Sequence, residues 1–255
     1  MKRILLADGD TAAFMGALGR NDDGSQRNLD QAILAIRTHI RWLREFCHTD
    51  HMEVLLTDPD VNFRCTVYPP YKTNRQGPER PPLINQLKDY LREEQGAFHW
   101  PKLEADDVQG IMATAPREDY EEFIVVSGDK DLRQIPGKLF NPSKWALGIQ
   151  DITPEAAMLW TFTQTLTGDT GDGYPGIPGM GPKTVDKIFA AAFEKGISVF
   201  DLWPTVLETF KVKGQTREYA LSQLHCARIL HYQDYDPVDN QMTLWIPPGD
   251  TPPVV

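Results

Sequence analysis

Three short apolar runs in the first half of the chain each lead into acidic residues. They are KRILLAD at 2–8, EVLLTD at 53–58 and EFIVV at 122–126, the last of which continues as SGDKD. Apolar runs of this length, without polar alternation, are typical of strands that are buried in a parallel sheet. Segments with helical apolar spacing, at 29–46 and 83–95, would cover that sheet. The pattern predicts an α/β fold with a mainly parallel central sheet flanked by helices.

Acidic residues gather where these predicted strands end. Because the carboxyl ends of parallel strands meet at one edge of a sheet, the acids there should converge. The segment LEADD at 103–107 adds three acids in four positions, which is more than helix capping requires. Carboxylates brought together would repel one another unless a cation neutralised them, and magnesium prefers such oxygen ligands. The candidate metal ligands are Asp8, Asp58, Glu104, Asp106, Asp107, Asp129, Asp131, Asp169 and Asp172.

The stretch GDTGDGYPGIPGMGPKT at 168–184 combines two kinds of phosphate chemistry. Asp169 and Asp172 are three residues apart, which predicts two carboxylates on one face of a helical turn. The sequence that follows, IPGMGPKTV, fits a helix-hairpin-helix pattern, in which a Gly-x-Gly turn opens a helix and directs backbone N–H groups at a phosphate. Acids beside such a turn indicate an enzyme that cuts nucleic acid. The candidate DNA-binding residues here are Gly179, Gly181, Lys183 and Thr184.

The main basic and aromatic segment lies at 62–82. Tyr71, Lys72 and Arg75 offer a base-stacking ring and two cations for a phosphate. The alternative is a solvated, Pro-rich loop. The formal net charge of −10 disfavours a nucleic-acid partner unless the acids hold metal ions, which would then be the dominant local positive charges.

Two further features concern the cellular setting. The basic and then apolar start at 1–7 is too short for a signal peptide or a membrane span. Cys47, Cys65 and Cys226 form no C-x-x-C pattern and fit reduced thiols. Together they predict a cytoplasmic protein without membrane contact. The role of Asp10, as a further ligand or as the N-cap of the next helix, stays open.

The motifs ILLADGD, YKTNR, LEADD, SGDKDL, GDTGD and GIPGMGPKT, in this order, resemble the flap endonuclease and 5′→3′ exonuclease family, most closely the exonucleases of short-tailed bacteriophages. The resemblance covers nearly the whole chain. It implies a PIN-like nuclease core at 1–150 with a basic arch or loop at about 62–95. It also implies a helix-3-turn-helix DNA-binding subdomain at 151–235, followed by a closing segment and Pro-rich tail at 236–255.

The activity that the resemblance implies is hydrolysis of duplex DNA near 5′ ends, nicks or flaps with two magnesium ions, for which manganese can substitute. By position, the ligands of the first metal would be Asp8, Asp58, Glu104, Asp106, Asp107 and Asp129. Those of the second metal would be Asp131, Asp169 and Asp172, with Asp129 close to both.

The resemblance also implies roles in substrate binding. Lys72 and Arg75 match the family's basic pair, Tyr71 its adjoining aromatic, and Phe14 an aromatic that stacks near the cleaved nucleotide. The hairpin would hold a potassium ion. Family members of this type also remove RNA primers, so RNA–DNA hybrids and replication proteins join DNA as expected partners, in the host cytoplasm if the chain is phage-encoded. The short, Pro-rich segment after Tyr71 favours action at ends or nicks over threading of long flaps.

Two other interpretations remain at this point. Asp8-Gly9-Asp10-Thr11 after an apolar strand also fits the motif of haloacid-dehalogenase-like phosphatases, with Asp8 as nucleophile and Asp10 as general acid. That interpretation leaves LEADD, YKTNR and the hairpin unexplained. A non-catalytic DNA-binding module is the other, and the complete series of acids argues against it.

Overall fold

The computed structural model describes residues 2–75, 80–116 and 122–250. Its five-stranded sheet has the order β2-β1-β3-β4-β5, in which the first four strands are parallel and β5 runs antiparallel to β4. The mainly parallel sheet is therefore confirmed. The strands are β1 (Arg3–Asp8), β2 (Met52–Leu55), β3 (Glu122–Val126), β4 (Gly137–Phe140) and β5 (Ile149–Ile152).

Helices cover both faces of this sheet. Side chains of β1 alternate, so that Leu5 packs toward α2 while Leu6 packs toward α5 on the other face. The longest helix, α2, begins at an Asn28–Gln31 capping box. The helices of this half are α1 (Gly9–Leu18), α2 (Leu29–Cys47), the single turn α3 (Arg64–Val67), α4 (Ile84–Gln95) and α5 (Ala105–Thr114).

The second half is helical and has its own core, which includes the fully buried Trp203, Phe162 and Phe210. Thr153 caps its first helix, as the Thr-Pro sequence predicts. The helices are α6 (Pro154–Thr167), α7 (Pro182–Phe193), α8 (Trp203–Val212) and α9 (Arg217–Ala227). A short antiparallel pair, β6 (Tyr235–Asp236) with β7 (Gln241–Met242), follows them.

Several local predictions were wrong. Strand β2 ends at Leu55, so Asp58 lies in the loop beyond it. The sequence also predicts a short strand at 97–103, but this segment contributes only an isolated bridge between Phe98 and Leu55. The pair Asp169 and Asp172 lies in a turn closed by mutual backbone hydrogen bonds of Asp169 and Tyr174, because Gly168 ends α6 before them.

Parts of two sequence predictions lie outside the described residues. Positions 76–79 belong to the segment considered for a threading arch, and positions 251–255 belong to the Pro-rich tail. Within the described part of the chain, Cys47, Cys65 and Cys226 are free thiols. No helix of that part is both long enough and apolar enough to cross a membrane.

Candidate active site

A cleft of about 670 Å³ opens at the carboxyl edge of the sheet. Acidic side chains from β1, the start of α5, the turn after β3 and the loop after α6 line it together. Basic and aromatic side chains from α1, α4 and the segment at 71–80 line it as well. The acids are Asp8, Asp10, Glu104, Asp106, Asp129, Asp131 and Asp172, and the other charged or aromatic lining residues are Phe14, Lys72, Arg75, Arg80 and Lys88.

Asp8 occupies the junction between β1 and α1. Its Oδ1 accepts hydrogen bonds from the backbone amides of Asp10 (2.8 Å) and Thr11 (3.1 Å), which makes Asp8 the N-cap of α1. The alternative that Asp10 provides this cap is therefore wrong. Asp10 accepts a hydrogen bond from the backbone amide of Thr57 (2.9 Å) and pairs with Lys88. A carboxylate held in this way is poorly placed to act as the general acid of a phosphatase.

Glu104 and Asp172 meet at the hydroxyl group of Tyr71. That hydroxyl lies 3.0 Å from Asp172 Oδ2 and 3.3 Å from Glu104 Oε2. Tyr71 is only 2% exposed, and its ring packs beside Tyr174. The expectation that Tyr71 stacks on a nucleic-acid base is therefore not met, because the ring is enclosed. Tyr71 instead holds two acids that come from opposite halves of the chain.

The basic pair lies directly against these acids. Lys72 forms ion pairs with Glu104 and Asp172, and Arg75 forms one with Asp172. The backbone amide of Lys72 also donates to the carbonyl of Asp172 (2.7 Å), which fastens this segment to the loop after α6. The structure thus brings together the two segments from which the sequence predicted cation and metal chemistry.

Asp129, Asp131 and Asp169 form a second group. Lys130 lies 2.6 Å from Asp169 Oδ2 and 3.0 Å from Asp131 Oδ1. Asp129 Oδ1 accepts from the backbone amide of Asp131 (2.9 Å), so the turn after β3 holds both side chains close together. Asp169 does not line the cleft wall itself and reaches this group through Lys130.

Two predicted ligands lie elsewhere. Asp107 is fully buried and forms a two-pronged ion pair with Arg64, while its Oδ1 also accepts from the amide of Leu230. Asp58 accepts from the backbone amides of Asp60 (2.9 Å) and Lys102 and is not part of the cleft lining. Asp107 is turned away because α5 rotates successive side chains by about 100°, which places Asp106 and Asp107 on different faces.

The electrostatics of the cleft follow from burial and like charge. Burial, with the nearby charge of Asp10, raises the pKa of Asp8 to about 6. Burial and the charges of Asp8, Glu104 and Asp129 raise the pKa of Asp106 well above its usual range. Burial and Asp129 raise the pKa of Asp131. At Asp169 burial acts to raise the pKa, but Lys130 and the backbone amides of Gly171 and Asp172 together lower it. The charge of Asp129 therefore raises the pKa of both Asp106 and Asp131.

These side chains fit divalent cations in their donor chemistry. Carboxylate oxygens are the ligands that magnesium and manganese favour, and the raised pKa values show that the acids lack sufficient positive charge nearby. As the side chains stand, no three acidic, imidazole or thiol groups of the described residues are arranged as a ready metal site. Lys72, Arg75 and Lys130 reach carboxylate oxygens there instead.

The hairpin at 177–184 follows α6 and runs into the first turn of α7. Gly179 has φ +80°, a conformation that L-residues rarely adopt, and the amide of Met180 donates to the carbonyl of Ile177 (2.9 Å). Gly181, the N-cap of α7, has φ −97°, and a Cβ added there would meet no described atom within 4 Å. Neither strain nor packing requires glycine at Gly181, whereas close approach of a ligand to the backbone would. Lys183 and Thr184 are exposed beside it.

Sequence reasoning missed Lys88 as a residue of the cleft. Lys88 lies four residues after Ile84 on α4, so the two share a helix face, and both line the cleft. That spacing was the available signal. Arg80 lines the same wall. Phe14, which was predicted as a binding residue, also lines the cleft, and it is 41% exposed.

Comparison with known proteins bears on this arrangement. The family described as "5′-3′ exonuclease, N-terminal resolvase-like domain" matches residues 3–152, more than half of the chain. The chain belongs to this 5′→3′ exonuclease family. It is 30% identical over 223 residues to the exodeoxyribonuclease of Enterobacteria phage T3, which covers 76% of this chain and 73% of that protein. It is 31% identical over 225 residues to the exonuclease of Escherichia phage T7, with the same coverage.

A solved structure shares the fold of this chain. A flap endonuclease of bacteriophage T5, determined with DNA and metal ions, aligns with a TM-score of 0.63 over 88% of each chain at 17% identity. The PIN-like α/β fold is therefore confirmed. Membership of the family confirms the nuclease prediction and argues against both the phosphatase and the non-catalytic module.

Proposed function

We propose that this protein is a divalent-metal-dependent 5′→3′ exonuclease and structure-specific 5′ nuclease, which hydrolyses phosphodiester bonds of duplex DNA near 5′ ends, nicks or flaps. The observation that carries the proposal is the cleft itself. It holds seven acids along one sheet edge and faces them with Lys72, Arg75, Arg80 and Lys88. A phosphodiester needs both kinds of group, since cations bind it and acids retain the metal.

Two magnesium ions are the proposed cofactors, with manganese as a substitute. Asp8, Glu104, Asp106 and Asp129 would hold one ion, and Asp131, Asp169 and Asp172 the other. When bound, such a pair of ions activates a water molecule and neutralises charge on the scissile phosphate and the leaving oxygen. Asp129 is proposed to serve both sites, because its charge acts on both Asp106 and Asp131.

The chain's own cations are proposed to complete the site. Lys72 and Arg75 would exchange their carboxylate partners for oxygens of the substrate phosphate, where a guanidinium can donate two parallel hydrogen bonds. Phe14 is proposed to stack on the nucleotide beside the cleaved bond, because its ring is exposed at the cleft wall. Tyr71 would hold Glu104 and Asp172 at a fixed separation.

The hairpin is proposed to bind the duplex backbone. A Cβ added at Gly179 or Gly181 would meet no described atom within 4 Å, so the backbone there is open to a ligand, and the first turn of α7 would offer backbone N–H groups to a phosphate. Carbonyls of the same turn would hold a potassium ion. We accordingly assign residues 1–150 to hydrolysis, residues 151–235 to duplex binding and residues 236–255 to closure of the chain.

The substrate range and setting are also proposed. RNA–DNA hybrids would be cleaved in addition to DNA, as in primer removal, and replication proteins would be partners in the cytoplasm. Action at ends and nicks would dominate over threading of long flaps, because the described part of the segment at 71–75 is fastened to the loop after α6.

The test is cleavage of 5′-labelled nicked duplex, 5′-flap duplex and RNA–DNA hybrid, each with magnesium or with EDTA. We expect magnesium-dependent release of short 5′ products by the wild type and none by Asp129→Asn. The relative rates on the three substrates would rank them. Binding of all substrates without cleavage by the wild type would overturn the proposal.

A further inference from the structure

Two buried glutamines join the carboxylate cleft to the segment that leaves the helical half of the chain. Gln134 follows the turn after β3, and Gln164 lies on α6; they are 1% and 3% exposed. Gln134 Nε2 donates to Gln164 Oε1, and Gln164 Nε2 donates to Asp131 Oδ1. Gln134 Nε2 also donates to the carbonyl of Ala227, and Gln134 Oε1 accepts from the amide of Ile229, at and just beyond the end of α9.

The orientation of both amides is set by backbone groups. A backbone carbonyl only accepts, so the Gln134 atom 2.7 Å from the carbonyl of Ala227 must be the NH₂ nitrogen. A backbone amide only donates, so the Gln134 atom 3.3 Å from the amide of Ile229 must be the oxygen. With its NH₂ directed at Gln164, Gln134 requires the oxygen of Gln164 to face it. The NH₂ of Gln164 is therefore directed at Asp131.

The consequence at Asp131 is a fixed carboxylate. In the described structure both side-chain donors to Asp131, Gln164 and Lys130, reach Oδ1, which leaves Oδ2 for a metal ion. Lys130 is exposed, whereas Gln164 is buried and accepts a hydrogen bond from Gln134. Thr161 also donates to Gln134 Oε1 (3.1 Å). The Gln134 oxygen therefore accepts from both the Thr161 hydroxyl and the amide of Ile229.

We propose that Gln164, oriented by Gln134, is a positioning residue that holds the Asp131 carboxylate for the second metal ion. Partners behind a metal ligand orient it, and their loss typically weakens metal binding by about 10- to 100-fold. Neutral amides suit this place, since a cation there would compete with the metal and an acid would repel Asp131. The inference rests on the proposed function, because it requires a metal at Asp131.

The test compares Gln164→Leu with wild type and with Gln109→Leu. Gln109 is equally buried, on α5, and its amide donates to the carbonyls of Leu6 and Val126 rather than to an acid.

Manganese binding is measured by calorimetry and by electron paramagnetic resonance of the free ion. We expect Gln164→Leu to weaken one manganese site by about 10- to 100-fold and to lower kcat, with KM and DNA affinity in EDTA unchanged. Gln109→Leu should lose thermal stability but keep manganese affinity.

Two results would contradict different parts of the account. If Gln164→Leu binds manganese like the wild type and loses only stability, Gln164 is merely structural and the inference fails. If the wild type itself neither binds manganese nor cleaves DNA, the proposed function fails. Gln164→Glu provides a second variant should the leucine protein not fold. The added carboxylate should repel Asp131 and lower kcat without restoring manganese affinity.

Discussion

Asp106 and Asp107 are neighbours in one motif, yet the structure uses them in opposite ways. Asp106 faces the cleft, where burial and other carboxylates raise its pKa. Asp107 is fully buried and pairs with Arg64, whose Nε and Nη2 also donate to the carbonyls of Cys226 and Arg228. One acid therefore lacks positive charge and can accept a metal, whereas the other is neutralised by an arginine and ties α5 to the end of α9. The partner, rather than the residue type, decides the role.

The first prediction sharpens this comparison at Asp106. Asp106→Asn should lower kcat by about 1,000-fold, since a lost metal ligand removes several kcal/mol of charge stabilisation. Its stability in EDTA should rise. An acid whose pKa is raised by folding contributes most below its unfolded pKa and costs stability as pH rises, and asparagine removes that cost. Single-turnover cleavage and thermal denaturation measure the two effects. A variant that is less stable and still active would contradict the assignment.

The second prediction concerns Asp107, for which the expected loss is in folding. Asp107→Asn removes the carboxylate that pairs with both prongs of the buried Arg64 guanidinium and leaves it, among the described acids, only Glu104, at 3.8 Å, which should cost about 3–5 kcal/mol of unfolding free energy. Urea denaturation measures this loss. Cleavage per folded molecule should stay within about tenfold of wild type. A loss of cleavage with wild-type stability would mean that Asp107 acts at the cleft.

The third prediction concerns pH and the same buried network. Burial and the neighbouring Arg228 lower the pKa of His231 to about 4, from 6.5. A base with a lowered pKa contributes stability that is present above its unfolded pKa and lost as pH falls toward its folded pKa. Unfolding free energy should thus fall by about 2 kcal/mol between pH 7.5 and pH 5 through this residue. His231→Gln should flatten that part of the pH profile, and an unchanged slope would refute the assignment.

The smallest expected effect is at the hairpin, where binding and folding should again separate. Gly181→Ala should weaken duplex binding by about tenfold with an unchanged melting temperature, because only a ligand would meet the added Cβ. Gly179→Ala should cost about 1 kcal/mol of stability through its positive φ. Thermal denaturation distinguishes the two variants, and DNA affinity measured in EDTA reports the effect of each on binding. Equal affinity for wild type and Gly181→Ala would remove the hairpin from the interface.

Sequence reasoning succeeded where a residue's role follows from local pattern. Apolar runs placed β1 and β3 with their acids, and the Thr-Pro and Gly-x-Gly patterns placed α6 and the hairpin. It failed where tertiary contacts decide. Tyr71 has the composition of a base-stacking site, but its enclosure by Tyr174 depends on a residue about a hundred positions away. Gln134 and Gln164 carry no charge or motif, and only the fold shows that Gln164 reaches Asp131 and that Gln134 bonds Gln164.

The most direct test of the central claim compares magnesium-dependent cleavage of a 5′-flap duplex by Asp106→Asn and Asp107→Asn, at a temperature at which both are folded. Both changes remove one negative charge from adjacent positions of the same motif. The account predicts that Asp107→Asn cleaves and that Asp106→Asn does not. Cleavage by Asp106→Asn together with its loss in Asp107→Asn would show that the metal site lies elsewhere than the cleft.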